Sequence, residues 1–495
     1  MDNIRVTYSG LIAFVVGIIS VFTGMVFVLI VTRTLTVEEF GAWSLIGSMI
    51  VYFLISERLV SFWTTRHIAR GENIGRTSLF TTIVFSLASI PAYLGISYIV
   101  ATNSNADFEI LVLGIGLIPV FFISDTLASI NTGHKPQATS FSLLIFESSK
   151  IPFALGLVYF LDLGVAGAIF ATLAAYTIRI IVQGYFAKIK LSEHFSKDLL
   201  KRWIRLSWIP LYGNIMKFLK SLDVFLYSII IGSVVGVAFF SAATSISLLV
   251  LHANRISQAV YPKLLANGSH DYIKENFTRL LYFLIPLFAI TVIFAKPAMY
   301  ALNPQYEEAY TVAIILTFKM FFEVLNITLN KTLLGIENVD VETKPKFRDL
   351  LKSNLFLVNT RNNIQYVFYI VLMVSLILIL NSNDSPELEL VTWWALVALI
   401  LEIPFFFYMW RLVQKRVKFS FPYVNFLKYC GSASVFVIFY FLLSPEIIQY
   451  HESIFDFLPP VLGLLLMCVA IYLSMTYLID KKTRTLFHAI ISEIK

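Results

Sequence analysis

Fourteen stretches of about twenty residues, each dominated by apolar side chains, run the length of the chain. They cover 8–32, 40–60, 78–101, 109–130, 138–161, 164–187, 206–231, 233–258, 280–300, 309–334, 364–380, 390–411, 427–443 and 454–479. About twenty residues is the length an α-helix needs to cross roughly 30 Å of hydrocarbon. Unpaired backbone cannot be left in lipid, so the pattern predicts an all-α, polytopic membrane bundle of about 14 transmembrane helices. The junctions Leu161-Asp162-Leu163-Gly164 and Ile231-Gly232-Ser233 leave room only for tight turns, which makes the flanking helices antiparallel neighbours. The longest polar breaks, 188–205 and 335–363, suggest a modular bundle. A six-plus-six core with two added helices fits these breaks, although span arithmetic alone does not select it. Within 192–203, Phe195, Leu199, Leu200 and Trp203 alternate with Lys197, Asp198, Lys201 and Arg202, as expected of a helix lying on the membrane interface.

Composition agrees with this pattern. Of 495 residues, 58% are hydrophobic and 14% charged, too few charges to clothe several water-soluble domains, so a multidomain soluble enzyme is excluded. The first apolar stretch is longer than a signal-peptide core and reads as a permanent span. Cys430 and Cys468 both lie in apolar stretches without a metal or redox spacing.

The net charge of +7 is explained by orientation in a bilayer, without nucleic acid as a partner. If the spans are counted in alternation, 29 of the 38 Lys and Arg residues fall on one side, whereas the opposite loops hold only Arg33 and Lys296. Those opposite loops carry acidic clusters instead, Asp384, Glu387 and Glu389, then Glu446, Glu452 and Asp456. A miscounted span would reverse every later loop, so the sustained asymmetry predicts cytoplasmic N- and C-termini in a cytoplasmic (plasma) membrane.

Seven basic residues remain within the spans: Lys150, Arg179, Lys217, Lys220, Arg255, Lys319 and Lys331. A charge in mid-span costs about 2.5–3.5 kcal/mol on insertion scales and therefore tends to face a bundle interior or water. Arg179, Arg255 and Lys331 are near enough to cytoplasmic ends to snorkel. Lys150, Lys217, Lys220 and Lys319 are deeper, and acidic partners stand at helical spacing: Glu147 before Lys150, Asp223 after Lys220 and Glu323 after Lys319. These pairs can be structural ion pairs that neutralise themselves. Lys217 has no carboxylate within a turn, which leaves a surplus of positive charge suited to an anionic guest such as phosphate. Glu57 and Asp125 are placed near cytoplasmic ends and are expected to be solvated. Glu402, two residues before Pro404, is deep enough for a proton site.

No phosphate-binding loop of the G-x-x-x-x-G-K-[ST] type is present, and the seven histidines show no paired ligand spacing, so neither ATP hydrolysis, a metal nor a cofactor is expected. The predicted outer loops are too short for an outer catalytic domain. Many spans, buried cations and no catalytic constellation favour translocation over covalent chemistry.

Residues 32–41, Thr32-Arg33-Thr34-Leu35-Thr36-Val37-Glu38-Glu39-Phe40-Gly41, resemble the R-x-L-G-x-x-E-[FY]-G signature of polysaccharide biosynthesis (O-antigen-type) flippases of the multidrug/oligosaccharidyl-lipid/polysaccharide exporter superfamily. Further matches follow in order: Thr65-Arg66-His67-Ile68-Ala69-Arg70, Gly164-Val165-Ala166-Gly167-Ala168, Asp223, Tyr261-Pro262-Lys263-Leu264 and Tyr306-Glu307-Glu308-Ala309. Thr36 stands at the usual Gly position, which suggests a differently shaped turn, and the 335–363 loop is longer and more charged than the family pattern. That loop could hold a site for other glycan-assembly proteins. The resemblance implies two helical lobes, 1–190 and 191–420, around a central cavity, with 421–495 forming two additional spans and a tail. It implies alternating-access transfer of a polyprenyl- or dolichyl-pyrophosphate oligosaccharide, and no enzyme activity. Lys150, Lys217, Lys220, Lys319 and Arg255 would then meet the lipid's phosphates, with Glu147, Asp223 and Glu323 positioning those cations. The rivals are an ion-coupled drug or metabolite exporter of the same superfamily, a membrane-embedded lipid-linked glycosyltransferase, and a scaffold for glycan assembly.

Overall fold

The computed structural model describes residues 6–192, 194–205, 207–259, 270–337, 351–417, 420–481 and 483–484. Among these residues the chain is helical and contains no strand. The membrane helices are α1 (Val6–Thr34), α2 (Val37–Ala69), α3 (Gly75–Asn103), α4 (Phe108–His134), α5 (Pro136–Phe160), α6 (Gly164–Leu191) and α7 (Trp208–Ile231), followed by α8 (Val235–Asn254) and α9 (His270–Ile293). The remainder are α10 (Tyr310–Gly335), α11 (Asn354–Asn381), α12 (Glu387–Arg416), α13 (Tyr423–Ile447) and α14 (Ile454–Ile479). Twelve of these regions are long and apolar enough to cross a membrane. The other two are α1, apolar over Phe22–Thr34, and α7, whose Lys217, Lys220 and Asp223 break its apolar run. Each of the fourteen apolar stretches in the sequence thus coincides with a helix.

The chain forms two compact units. The first comprises Met1–Ser241 and Asn362–Val391, and the second Ala242–Arg361 and Thr392–Lys495. In the first unit α2 packs against α3, α4 and α7, while α5 packs against α1 and α6. The α2–α7 pair is antiparallel. The Ser48 hydroxyl and the Tyr52 phenol both donate to the Ser221 carbonyl, at 3.0 and 2.7 Å, and nearer the other end Gly41 meets Val234. A Cβ on Gly41 would lie 2.1 Å from the Val234 carbonyl oxygen, so only glycine permits this approach. In the second unit α9 packs against α13, and α13 against α14. Tyr472 locks this core by donating to the Tyr282 carbonyl at 2.7 Å.

Local chemistry explains the turns in the first unit. Thr36 accepts from the Glu39 amide, and the Glu39 carboxylate accepts from the Thr36 amide, a reciprocal cap that starts α2. The departure from Gly at position 36 is therefore accommodated as a helix cap. Gly164 opens α6 with φ +54°, and a Cβ there would also stand 2.7 Å from Glu39 Oε1.

Two expectations about the polar breaks change. The amphipathic segment forms a helix, Lys197–Arg205, but Trp203 is buried with Val60, Ile68, Ile74, Leu127, Ile130 and Ala187, so the segment docks on the bundle rather than lying only on an interface. At the second break, α11 begins at Asn354, ten residues before its apolar stretch. Hydropathy misses these first turns because their polar groups find partners: the Asn354 amide side chain donates to the Leu333 carbonyl at 3.1 Å, and Arg416 donates to the same side chain. Residues 338–350 of the charged loop and the motif Tyr261-Pro262-Lys263-Leu264 lie outside the described residues.

Candidate functional site

On α5, Lys150 Nζ lies 2.9 Å from Glu147 Oε2, with only 12% and 11% of the two side chains exposed. One helical turn separates them, so the pair neutralises itself before any other element contributes. Thr23 of α1 lies 3.1 Å from the same carboxylate oxygen. The ammonium sits 4.8 Å from the Phe27 ring centroid and 5.3 Å from that of Phe146. Arg179 of α6 also approaches Phe146, and Tyr176, each at 5.6 Å. The negative faces of these rings stabilise cations withdrawn from water. Arg179 therefore joins the Lys150 group through an aromatic ring. Its sequence position marked it only as able to snorkel, because contacts across helices have no local spacing to reveal them.

The α7 row is built differently. Lys217 is exposed and Lys220 half-buried, while Asp223 is buried. Tyr369 of α11 donates to Asp223 Oδ2 at 2.6 Å, a charge-assisted bond that anchors α7 to α11 within the first unit. The charged neighbours acting on Lys217 are Arg58 and Asp125, themselves 3.7 Å apart. Among the described residues no hydrogen bond or ion pair is made by Lys217.

The second unit holds another self-neutralising pair on α10, where Lys319 donates to Glu323 and only 8% of the lysine side chain is exposed. Asn326, two turns beyond Lys319, donates to the buried Glu402 of α12. Lys331 donates to Asn254 at 3.2 Å. The side chain of Arg255 lies outside the described residues. Lys150, Lys217 and Lys220 thus belong to the first unit, and Lys319 to the second.

Glu57 corrects an expectation. Its side chain is fully buried rather than solvated. Helix α2 continues to Ala69, twelve residues past Glu57 and well beyond the apolar stretch that ended at 60, so the carboxylate sits in mid-helix. Asp125 is partly exposed and pairs with Arg58. Among the described residues no group of three His, Cys, Asp or Glu is disposed to hold a metal ion.

No protein-family model matches the chain, and no curated relative does either. Solved structures do match. The lipid II flippase MurJ in an inward closed conformation shares a TM-score of 0.69 at 14% identity, over 96% of this chain and 99% of that one. An inward-facing multidrug resistance MATE family transporter of the MOP superfamily gives a TM-score of 0.60 at 15% identity, covering 83% of this chain and 99% of the other. A MOP superfamily transporter from Pyrococcus furiosus gives 0.53 at 14% identity over 84% and 96%. At these identities the likeness is one of fold: this chain has the fold of MOP-superfamily transporters.

Proposed function

We propose that this chain is a flippase that carries a lipid-linked oligosaccharide, held by its polyprenyl or dolichyl pyrophosphate, across the cytoplasmic membrane by alternating access. The observation that carries this reading is the exposed Lys217 in mid-helix on α7, one turn before Lys220. An ammonium left facing hydrocarbon is costly, so such a group calls for water or an anion, and a pyrophosphate supplies the anion. The fold shared with a lipid II flippase over nearly the whole chain supports a lipid cargo.

In this reading Lys217 and Lys220 meet the phosphates first. Lys150, Lys319 and Arg255 add to the positive field, and Glu147, Asp223 and Glu323 hold cations in place or limit their charge. Partial neutralisation matters, because a site that bound equally well in both conformations would trap its cargo without favouring release. The two compact units, Met1–Ser241 with Asn362–Val391 and Ala242–Arg361 with Thr392–Lys495, are the proposed moving bodies, in place of lobes 1–190 and 191–420 with 421–495 as an addition, and both termini are placed on the cytoplasmic side. An ion-coupled drug or metabolite exporter of the same superfamily is the second reading, favoured by the buried carboxylates Glu57 and Glu402 and by the MATE-like fold.

The test is reconstitution of the purified chain in liposomes with a fluorescent polyprenyl-pyrophosphate oligosaccharide. Wild type is expected to move the lipid, and the Lys217→Gln/Lys220→Gln double variant to do so at least about tenfold more slowly, a loss of roughly 1.4 kcal/mol. Equal rates would remove these lysines from the mechanism. Export of a soluble dye without lipid movement would favour the second reading.

A further inference from the structure

Glu147 and Glu323 have a cation at helical spacing, Glu402 an amide and Asp223 a phenol, whereas Glu57 is held by hydroxyls. Ser61, one turn further along α2, donates to Glu57 Oε1, and Thr126 of α4 donates to the same oxygen at 3.1 Å. Thr82 of α3 lies 2.6 Å from Thr126. Since the Thr126 proton is committed to Glu57, Thr82 must be the donor in that contact. The second carboxylate oxygen, Oε2, is buried and has no hydrogen-bond partner among the described residues.

The charged groups acting on Glu57 oppose one another. Asp125 of α4 repels a negative charge there, Arg58 attracts it, and these two are engaged with each other at 3.7 Å. Lys217 of α7 and Tyr176 of α6 act on the same Asp125. From α3 the contact is the Thr82 hydroxyl, which carries no charge. A buried carboxylate oxygen without a donor is costly to ionise, and a proton on the carboxyl group removes that charge.

Ser61 supplies the alternative. Its hydroxyl also lies 3.5 Å from the Asp125 carbonyl. With a proton on Glu57 Oε1, that O–H donates to Ser61 Oγ, and Ser61 turns its own hydrogen to the Asp125 carbonyl. Loss of the proton to water lets Ser61 turn back to Oε1. One O–H bond forms or breaks, with water as the source and acceptor of the proton.

We infer that Glu57 is a proton-binding site of the first unit, loaded in this conformation and discharged when water reaches the carboxyl group and takes the proton from Oε1. Its place in a transport cycle rests on the function proposed above, whereas the site itself does not. Only the Glu57–Ser61 spacing is local; Thr82 and Thr126 come from two other helices, so the residue pattern does not bring the cluster together.

Infrared difference spectroscopy of the full purified chain at neutral pH in potassium buffer tests the inference. Wild type minus Glu57→Gln should show the C=O stretch of a protonated carboxylic acid, and Glu57→Asp should shift that band. Glu57→Gln keeps an acceptor at Oε1, so its thermal melt should match wild type and confirm that the difference comes from a folded protein. A difference spectrum with only ionised-carboxylate bands would overturn the inference. Loss of the protonated band when sodium replaces potassium would uphold the proton site and show that sodium competes for the same carboxylate. Persistence of the band in a chain that moves no lipid would uphold the proton site and separate its fate from that of the proposed function.

Discussion

Lys150 and Lys217 both place an ammonium well inside a membrane helix, and the first unit surrounds them in opposite ways. Lys150 has Glu147 at 2.9 Å and the rings of Phe27 and Phe146 within about 5 Å, with most of its side chain covered. Lys217 is exposed, with Arg58 and Asp125 as its charged neighbours and no hydrogen bond or ion pair among the described residues. The first arrangement spends its charge on its own carboxylate and is mainly a matter of stability. The second leaves the charge that the proposed function assigns to a guest. Lys319 with Glu323 repeats the first arrangement in the second unit.

The contrast is broken most strongly by removing one member of a covered pair. Lys150→Gln leaves Glu147 buried without its cation and is expected to destabilise the chain by about 3–5 kcal/mol. Thermal melts in detergent should show the loss, and adding Glu147→Gln should recover most of it. If Lys150→Gln melts like wild type, the pair is not the structural element described here.

A smaller effect is expected at the anchor of the exposed row. Tyr369→Phe removes the phenol that donates to Asp223, at a cost of about 1.5–3 kcal/mol for a hydrogen bond to a charged group. Slower lipid movement should accompany the lower melting temperature, since α7 loses its hold on α11. Reduced stability with an unchanged rate would show that the α7–α11 contact does not position the lysine row.

How much of this could be read from the residues alone follows from the range of each interaction. All fourteen helices were legible because a run of about twenty apolar residues is a local property, and α7 was among them despite its three charges. The Glu147–Lys150 and Lys319–Glu323 pairs were legible for the same reason, lying within one turn. The reciprocal cap of Thr36 and Glu39 also had a local signal, a Thr three residues before a Glu, which the comparison with a glycine signature obscured. Contacts between distant segments had none. Arg179 beside Phe146, Tyr369 on Asp223 and Thr126 on Glu57 each depend on how helices face one another. Glu57 was misplaced because hydropathy ended α2 too early, and Trp203 because an amphipathic pattern does not say whether its apolar side meets lipid or protein.

The central claim is that the α7 lysines provide the charge that receives the cargo's phosphates. The most direct measurement is binding of a polyprenyl-pyrophosphate oligosaccharide to wild type and to Lys217→Gln/Lys220→Gln, with the uncharged polyprenol as reference. Wild type should prefer the pyrophosphate by about tenfold or more, and the double variant, shown by its thermal melt to be folded, should lose that preference. An undiminished preference in the folded double variant would contradict the account.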